Sequence, residues 1–293
     1  VVEAGRREVD LRRPEPPPTR ALELLARVRL AGPDLADVGW RERQVSVGIH
    51  GRLLVRDPGA TEVRVHAVNG ELVELLAPPP GREFLRLFPL QAPEGETLLQ
   101  LIATKAEGEA KVYARFGPGG ELLGTVSFEL DPRHLDPSGA GSWSSQPFQA
   151  DVVRVDVDGE VTRCIERNAT GRWARGRFQI ALDEAGCAVL RDGEQGGFLL
   201  LDATGETTGF LPAPGTPAPW RLDAAGDWIL QDSGKSGVFL VRRSGDVLVR
   251  VDLPEEQAVE GASSRVLALS PTGDELWALG RHHLEFLRFA LPD

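Results

Sequence analysis

Six arginines recur along this chain at nearly even spacing: Arg43, Arg86, Arg133, Arg177, Arg221 and Arg265, separated by 43, 47, 44, 44 and 44 residues. A guanidinium is a planar fork of N–H donors that stays charged, so several converging on one point would bind a carboxylate or a phosphate. The same group also serves in structural ion pairs, and like charges gathered around a narrow opening repel. The series is therefore an anion-binding candidate, with structural pairing as its alternative. The other reactive residue types show less order. A metal centre needs two or three ligands converging with carboxylates. Of the five histidines, His50, His66, His134, His282 and His283, His50 falls at a turn, His66 falls mid-strand, and adjacent His282 and His283 point to opposite faces of any strand. No metal ligand is assigned. The chain contains no Gly-x-Ser-x-Gly elbow, and neither Ser144-Ser145 nor Ser263-Ser264 has a recognisable base beside it. No catalytic residue and no cofactor is assigned. Trp143, Trp220, Trp228 and Trp277 are expected to fill gaps between layers, a stacking platform for a sugar or quinone being the alternative.

What must position these side chains is a repeated turn. Asn69-Gly70-Glu71-Leu72, Gly119-Gly120-Glu121-Leu122, Asp158-Gly159-Glu160-Val161, Thr204-Gly205-Glu206-Thr207 and Ser244-Gly245-Asp246-Val247 each put Gly, an acid and then a strand-forming run in the same order. Gly supplies the positive φ of a tight hairpin turn. The glycines lie 50, 39, 46 and 40 residues apart, the period of a four-stranded propeller blade. A second set, Gly51, Gly95, Gly186, Gly226 and Gly273, is placed at the turn between the first two strands of a blade; Gly141 and Trp143 mark a degenerate blade in the Asp-, Pro- and Ser-rich stretch 131–150. Counting 19 residues on from Gly273 reaches Pro292, so the last blade lacks its outer strand. The run Leu22 to Leu30 resembles the outer strands after Gly70 and Gly120 and is expected to supply it; an amphipathic helix is the alternative for this Ala-, Leu-, Glu- and Arg-rich run. The expected fold is all-β: a six-bladed β-propeller over residues 21–293, closed by an N-terminal strand, after an extended Pro-rich leader at residues 1–20.

Composition narrows the partners. Net charge is −11 and the pI near 5.1, so a phosphate backbone is repelled overall and no nucleic-acid partner is expected. All but Lys105, Lys111 and Lys235 of the 33 basic residues are Arg, which points to a GC-rich bacterial genome, thermophily being the weaker alternative because its signal includes lysine enrichment. The sequence contains no Met and starts at Val1, which fits removal of an export or anchor segment, or a truncated chain. Arg13-Pro-Glu-Pro-Pro-Pro-Thr19 then reads as a stiff spacer between an anchor and a folded body, or as a disordered tail. The expected location is periplasmic or extracellular. Pairing of Cys164 with Cys187 is left open.

The segment from Gly51 to Val73 resembles a blade of NHL-type six-bladed propellers, whose repeats run as a Gly-started strand, an Asp-x-Gly/Asn turn, a Val-rich strand and a Gly turn. Gly81-Arg-Glu-Phe84 is similar to the linker that follows such blades in secreted bacterial relatives. The likeness covers residues 45–90 in motif and the remainder by period. It implies binding in general terms. Lactonases of this architecture hold a divalent metal with Glu, Asp and Asn side chains, whereas this chain offers Asn69 in a turn and Asn168 in a loop. The function expected is a non-enzymatic binding or scaffold propeller with a protein partner, working as a subunit of a membrane-associated complex in one version. The alternative is a hydrolase or lyase that holds an anionic small molecule at the channel mouth.

Overall fold

The computed structural model describes residues 17–32, 43–48, 51–91, 96–108, 111–128, 134–135, 141–145, 152–156, 161–165, 180–182, 187–192, 197–202, 206–212, 221–232, 237–253, 265–280 and 284–292. These residues form β-strands and no helix. The N-terminal strands are β1 (Thr19–Ala21) and β2 (Leu24–Arg29). A first sheet follows from β3 (Gln44–Val47), β4 (Leu53–Arg56), β5 (Val63–His66) and β6 (Leu72–Leu76), and a second from β7 (Phe84–Gln91), β8 (Thr97–Leu101), β9 (Lys111–Phe116) and β10 (Leu122–Phe128). The third holds β11 (His134–Leu135), β12 (Gly141–Ser145), β13 (Val152–Asp156) and β14 (Val161–Ile165); the fourth holds β15 (Ile180–Leu182), β16 (Ala188–Asp192), β17 (Gly197–Leu201) and β18 (Thr207–Pro212). The fifth is built from β19 (Arg221–Ala225), β20 (Trp228–Asp232), β21 (Val238–Arg242) and β22 (Leu248–Asp252). The last contains β23 (Arg265–Leu269), β24 (Glu275–Gly280) and β25 (Glu285–Ala290), and β2 completes it. Both inner strands of the degenerate third sheet are present.

Consecutive strands within each sheet pair antiparallel, and each sheet's first strand packs on the next sheet's first strand: β3 on β7, β7 on β11, β11 on β15, β15 on β19, β19 on β23, and β23 on β3. The core accordingly lies between sheets. Leu54, Val63 and Val65 of the first sheet face Phe84, Leu99 and Phe116 of the second. Leu53 and Val55, on the opposite face of β4, pack with Trp277, Leu279 and Phe286 of the last. Covering on both faces is why Leu53-Leu54-Val55 and Trp228-Ile229-Leu230 read as unbroken apolar runs.

β2 pairs antiparallel with β25, from Leu24 opposite Phe289 to Arg29 opposite Glu285. The expected strand therefore forms in place of a helix, because this apolar run pairs along the outer edge of β25 and completes the sheet. The repeated turn glycines have a matching task. Gly70 has φ +88°, and a Cβ there would lie 2.5 Å from Val28 of β2; a Cβ on Gly120, at φ +80°, would lie 3.2 Å from Glu74 of β6. The Gly70 and Gly120 turns, each between third and fourth strands, thus lean on the outer strand of the preceding sheet.

Those outer strands share a further feature. β2, β6, β10, β14 and β18 each carry a register shift against their neighbour, whereas β22 pairs with β21 without one. A bulge twists a free edge away from pairing. The regular β22 is instead covered by β1, which joins it in parallel.

Candidate functional site

The site residues divide into charge clusters at the sheet seams and apolar groups at the rim. Arg43 immediately precedes β3 and Asp57 follows β4, and since Gln44 registers with Arg56 the two come to face each other. Arg43 is 1% exposed, and its Nε donates to Asp57 Oδ1 at 2.5 Å. Arg64 Nη2 donates to the other carboxylate oxygen at 2.7 Å, while its Nη1 donates to the carbonyl of Ala31 just beyond β2. One carboxylate held by two guanidiniums fastens the N-terminal segment to the first sheet. An anion arriving here would have to compete with Asp57.

The backbone positions of the other series members are uneven. Arg86 is the third residue of β7 and registers with Gln100. Arg221 opens β19 opposite Asp232, repeating the placement of Arg43 opposite Asp57, and Arg265 opens β23 opposite Gly280. Arg133 and Arg177 lie outside the described residues.

His66 is buried in the first sheet, where Nδ1 donates to the Gly70 carbonyl at 3.2 Å and Nε2 has no hydrogen-bond partner among the described residues. Burial pushes its pKa below the ordinary value, aided by Arg64 and opposed by Asp57. His134 opens β11 opposite Trp143, and His50, His282, His283, Trp220 and Asn168 lie outside the described residues. Asn69 Oδ1 accepts the Glu71 amide at 3.0 Å, which closes its own turn. Among the described residues, no three His, Cys, Asp or Glu gather as a metal site. Among the described residues no helix is long and apolar enough to cross a membrane.

A second buried network was not singled out from the sequence. Glu275 in β24 accepts from Arg288 Nε at 2.7 Å and Nη2 at 2.5 Å, and from Trp277 Nε1 at 2.7 Å. The Arg288 guanidinium holds the Glu275 carboxyl below the usual range. Trp277 then packs edge-on to Phe286, with ring centroids 5.4 Å apart. Trp228 is buried in the seam between the last two sheets, with Arg242 stacked 5.0 Å from its ring centroid. Both tryptophans fill seams.

The rim is different in character. Leu24-Leu25 on β2, Leu72-Val73 on β6 and Leu122-Leu123 on β10 are all exposed by 41–48%. Each pair follows an acid, Glu23, Glu71 or Glu121, and each contains the extra residue of its strand's bulge. The same position in β18 is Thr207-Thr208. The apolar pairs therefore occupy the outer strands of the last, first and second sheets, which pack in that order. The signal was visible in the repeated Gly-acid-apolar order, but apolar strand residues alone do not distinguish rim from core.

Solved β-propeller structures are similar to this chain. A streptogramin B lyase structure matches with a TM-score of 0.56 at 10% identity, over 91% of this chain and 97% of that one. Catalytically inactive virginiamycin B lyase from Staphylococcus aureus with quinupristin matches at 0.53 and 12% identity, over 91% and 99%. The Pan2 WD40 domain of Neurospora crassa matches at 0.50 and 9% identity, over 86% and 75%. Identities this low carry the fold alone: all-β and propeller-like. No protein-family model and no curated protein sequence matches, so the NHL-type resemblance has no family match behind it.

Proposed function

We propose that the chain is a six-bladed propeller, closed by β2 as the outer strand of its last blade, that acts as a non-enzymatic protein-binding scaffold. The serial packing of the six sheets, with β23 against β3, supports the ring. The binding role rests on the three exposed apolar pairs at equivalent places on consecutive outer strands. Exposed apolar groups recurring on one side of a rim, rimmed by carboxylates, are what a protein partner covers. In this proposal the protein works outside the cytoplasm, its Pro-rich residues 13–19 serving as the spacer to a membrane-associated complex.

Co-purification tests it. Wild-type protein should retain a stoichiometric partner that is lost when Leu72, Val73, Leu122 and Leu123 are all changed to Ser. An equal yield of the partner from both forms removes the rim from the proposal.

A second reading has one observation in its favour: Arg221 and Arg265 both open the first strand of their sheets, and Arg43 directly precedes the first strand of its own. It treats the six arginines as a mouth for an anionic substrate of a hydrolase or lyase. Calorimetry with a small dicarboxylate, on wild type and on Arg133→Ala/Arg177→Ala/Arg221→Ala, tests it; heat absent from both forms, or unchanged between them, ends it.

A further inference from the structure

The one regular outer strand carries an inference beyond the rim. We propose that the outer edge of β22 is a strand-addition site for an extended peptide of a partner protein, held in reserve by the chain's own β1. Extended peptides bind sheet edges through main-chain hydrogen bonds, with alternate side chains setting specificity. Five outer strands are bulged, a device that discourages such pairing, and β22 is not.

β1 shows that the edge accepts a parallel strand and also shows how lightly it is held. Only Thr19, Arg20 and Ala21 pair, opposite Arg250, Val251 and Asp252, and all three are exposed. One flanking bond, from the Arg250 amide to the Pro18 carbonyl at 2.9 Å, extends the ladder. The apolar anchor is Leu22, which packs partly buried on the core that contains Val249, Val251 and Leu253.

The charges on β22 define the occupant. Arg250 and Asp252 are both exposed, and β1 sets Thr19 and Ala21 against them, so neither meets an opposite charge across the pairing. A peptide running parallel to β22 with an acid opposite Arg250, an apolar residue opposite Val251, a base opposite Asp252 and then Leu would match both charges and reproduce the Leu22 anchor. Such a segment displaces β1 by competing for the same edge. This names a surface for the binding role proposed above and rests on it.

The test uses the full chain and two labelled peptides, Pro-Glu-Val-Lys-Leu and its charge-swapped form Pro-Lys-Val-Glu-Leu, read by fluorescence anisotropy. The first should bind about tenfold more tightly than the second, each of the two matched charge pairs supplying about threefold. Leu22→Ala, which loosens β1, should raise its affinity about fivefold. The surface double variant Arg250→Glu/Asp252→Lys should invert the preference. The proposal is overturned by equal binding of the two peptides, by no binding to Leu22→Ala protein, or by a concentration-dependent dimer of that variant, which would give the edge to a second copy. Absence of peptide binding alongside a rim-dependent partner would remove this edge and leave the scaffold role standing.

Discussion

Replacing Gly70 with Ala should cost about 2–5 kcal/mol, far more than the same change at Gly59, although both glycines have nearly the same backbone conformation. Their φ values are +88° and +79°, so each substitution carries the left-handed penalty of about 1–2 kcal/mol. A Cβ at Gly59 meets nothing within 4 Å, whereas at Gly70 it lies 2.5 Å from Val28 Cγ1 and 3.3 Å from the Arg29 carbonyl. The carbonyl belongs to paired backbone and cannot swing aside, so overpacking adds about 1–3 kcal/mol. The difference between the variants isolates the packing of β2 on the first sheet. Urea unfolding gives it as a midpoint change at constant slope, and hydrogen exchange should show faster opening of the Val28 to Leu30 amides in Gly70→Ala alone. Equal losses in the two variants would mean that the N-terminal strand does not lean on this turn.

Other expected outcomes follow from the charge clusters. Arg43→Ala should destabilise by about 3 kcal/mol in chemical denaturation, because it strips a buried cation from Asp57, with Arg43→Lys recovering only part. His66 holds its proton less tightly folded than unfolded, so stability should be complete above its ordinary pKa of 6.5 and fall as pH drops toward the folded value. In His66→Gln that part of the slope in a pH series of urea midpoints should vanish. Glu275 has the opposite charge and a lowered pKa, so its contribution is present above the ordinary value of 4.5 and is lost as pH falls through the folded one. Glu275→Gln should cost about 1–3 kcal/mol by thermal or urea unfolding, the part-exposed Arg288 keeping it toward the lower figure.

The parts of the fold legible in the sequence were those with local causes. Gly70, Gly120 and Gly245 all adopt the positive φ that their turns require, and a positive-φ requirement is visible in residue type alone. β2 was legible from its likeness to the outer strands after Gly70 and Gly120, and it pairs with β25 as the fourth strand of the last sheet. What escaped depends on partners distant in sequence. Thr19-Arg20-Ala21 has no alternation to mark it as a strand and forms one only because β22 offers a regular edge. The bulges at Leu25, Val73 and Leu123 come from register against a neighbour, so their exposure is invisible in runs that resemble core strands. Arg43 illustrates the limit for the site: the spacing of the series is real, but its buried pairing with Asp57 depends on where β4 ends.

A photo-crosslinking residue placed at Val73, at Leu123 and, as a control, at exposed Glu62 tests the central claim most directly, with native membranes or secretions as the source of partners. The scaffold reading predicts one protein crosslinked from both rim positions and none from Glu62. Contradiction would be the same labelling from all three positions, or no protein product from Val73 and Leu123.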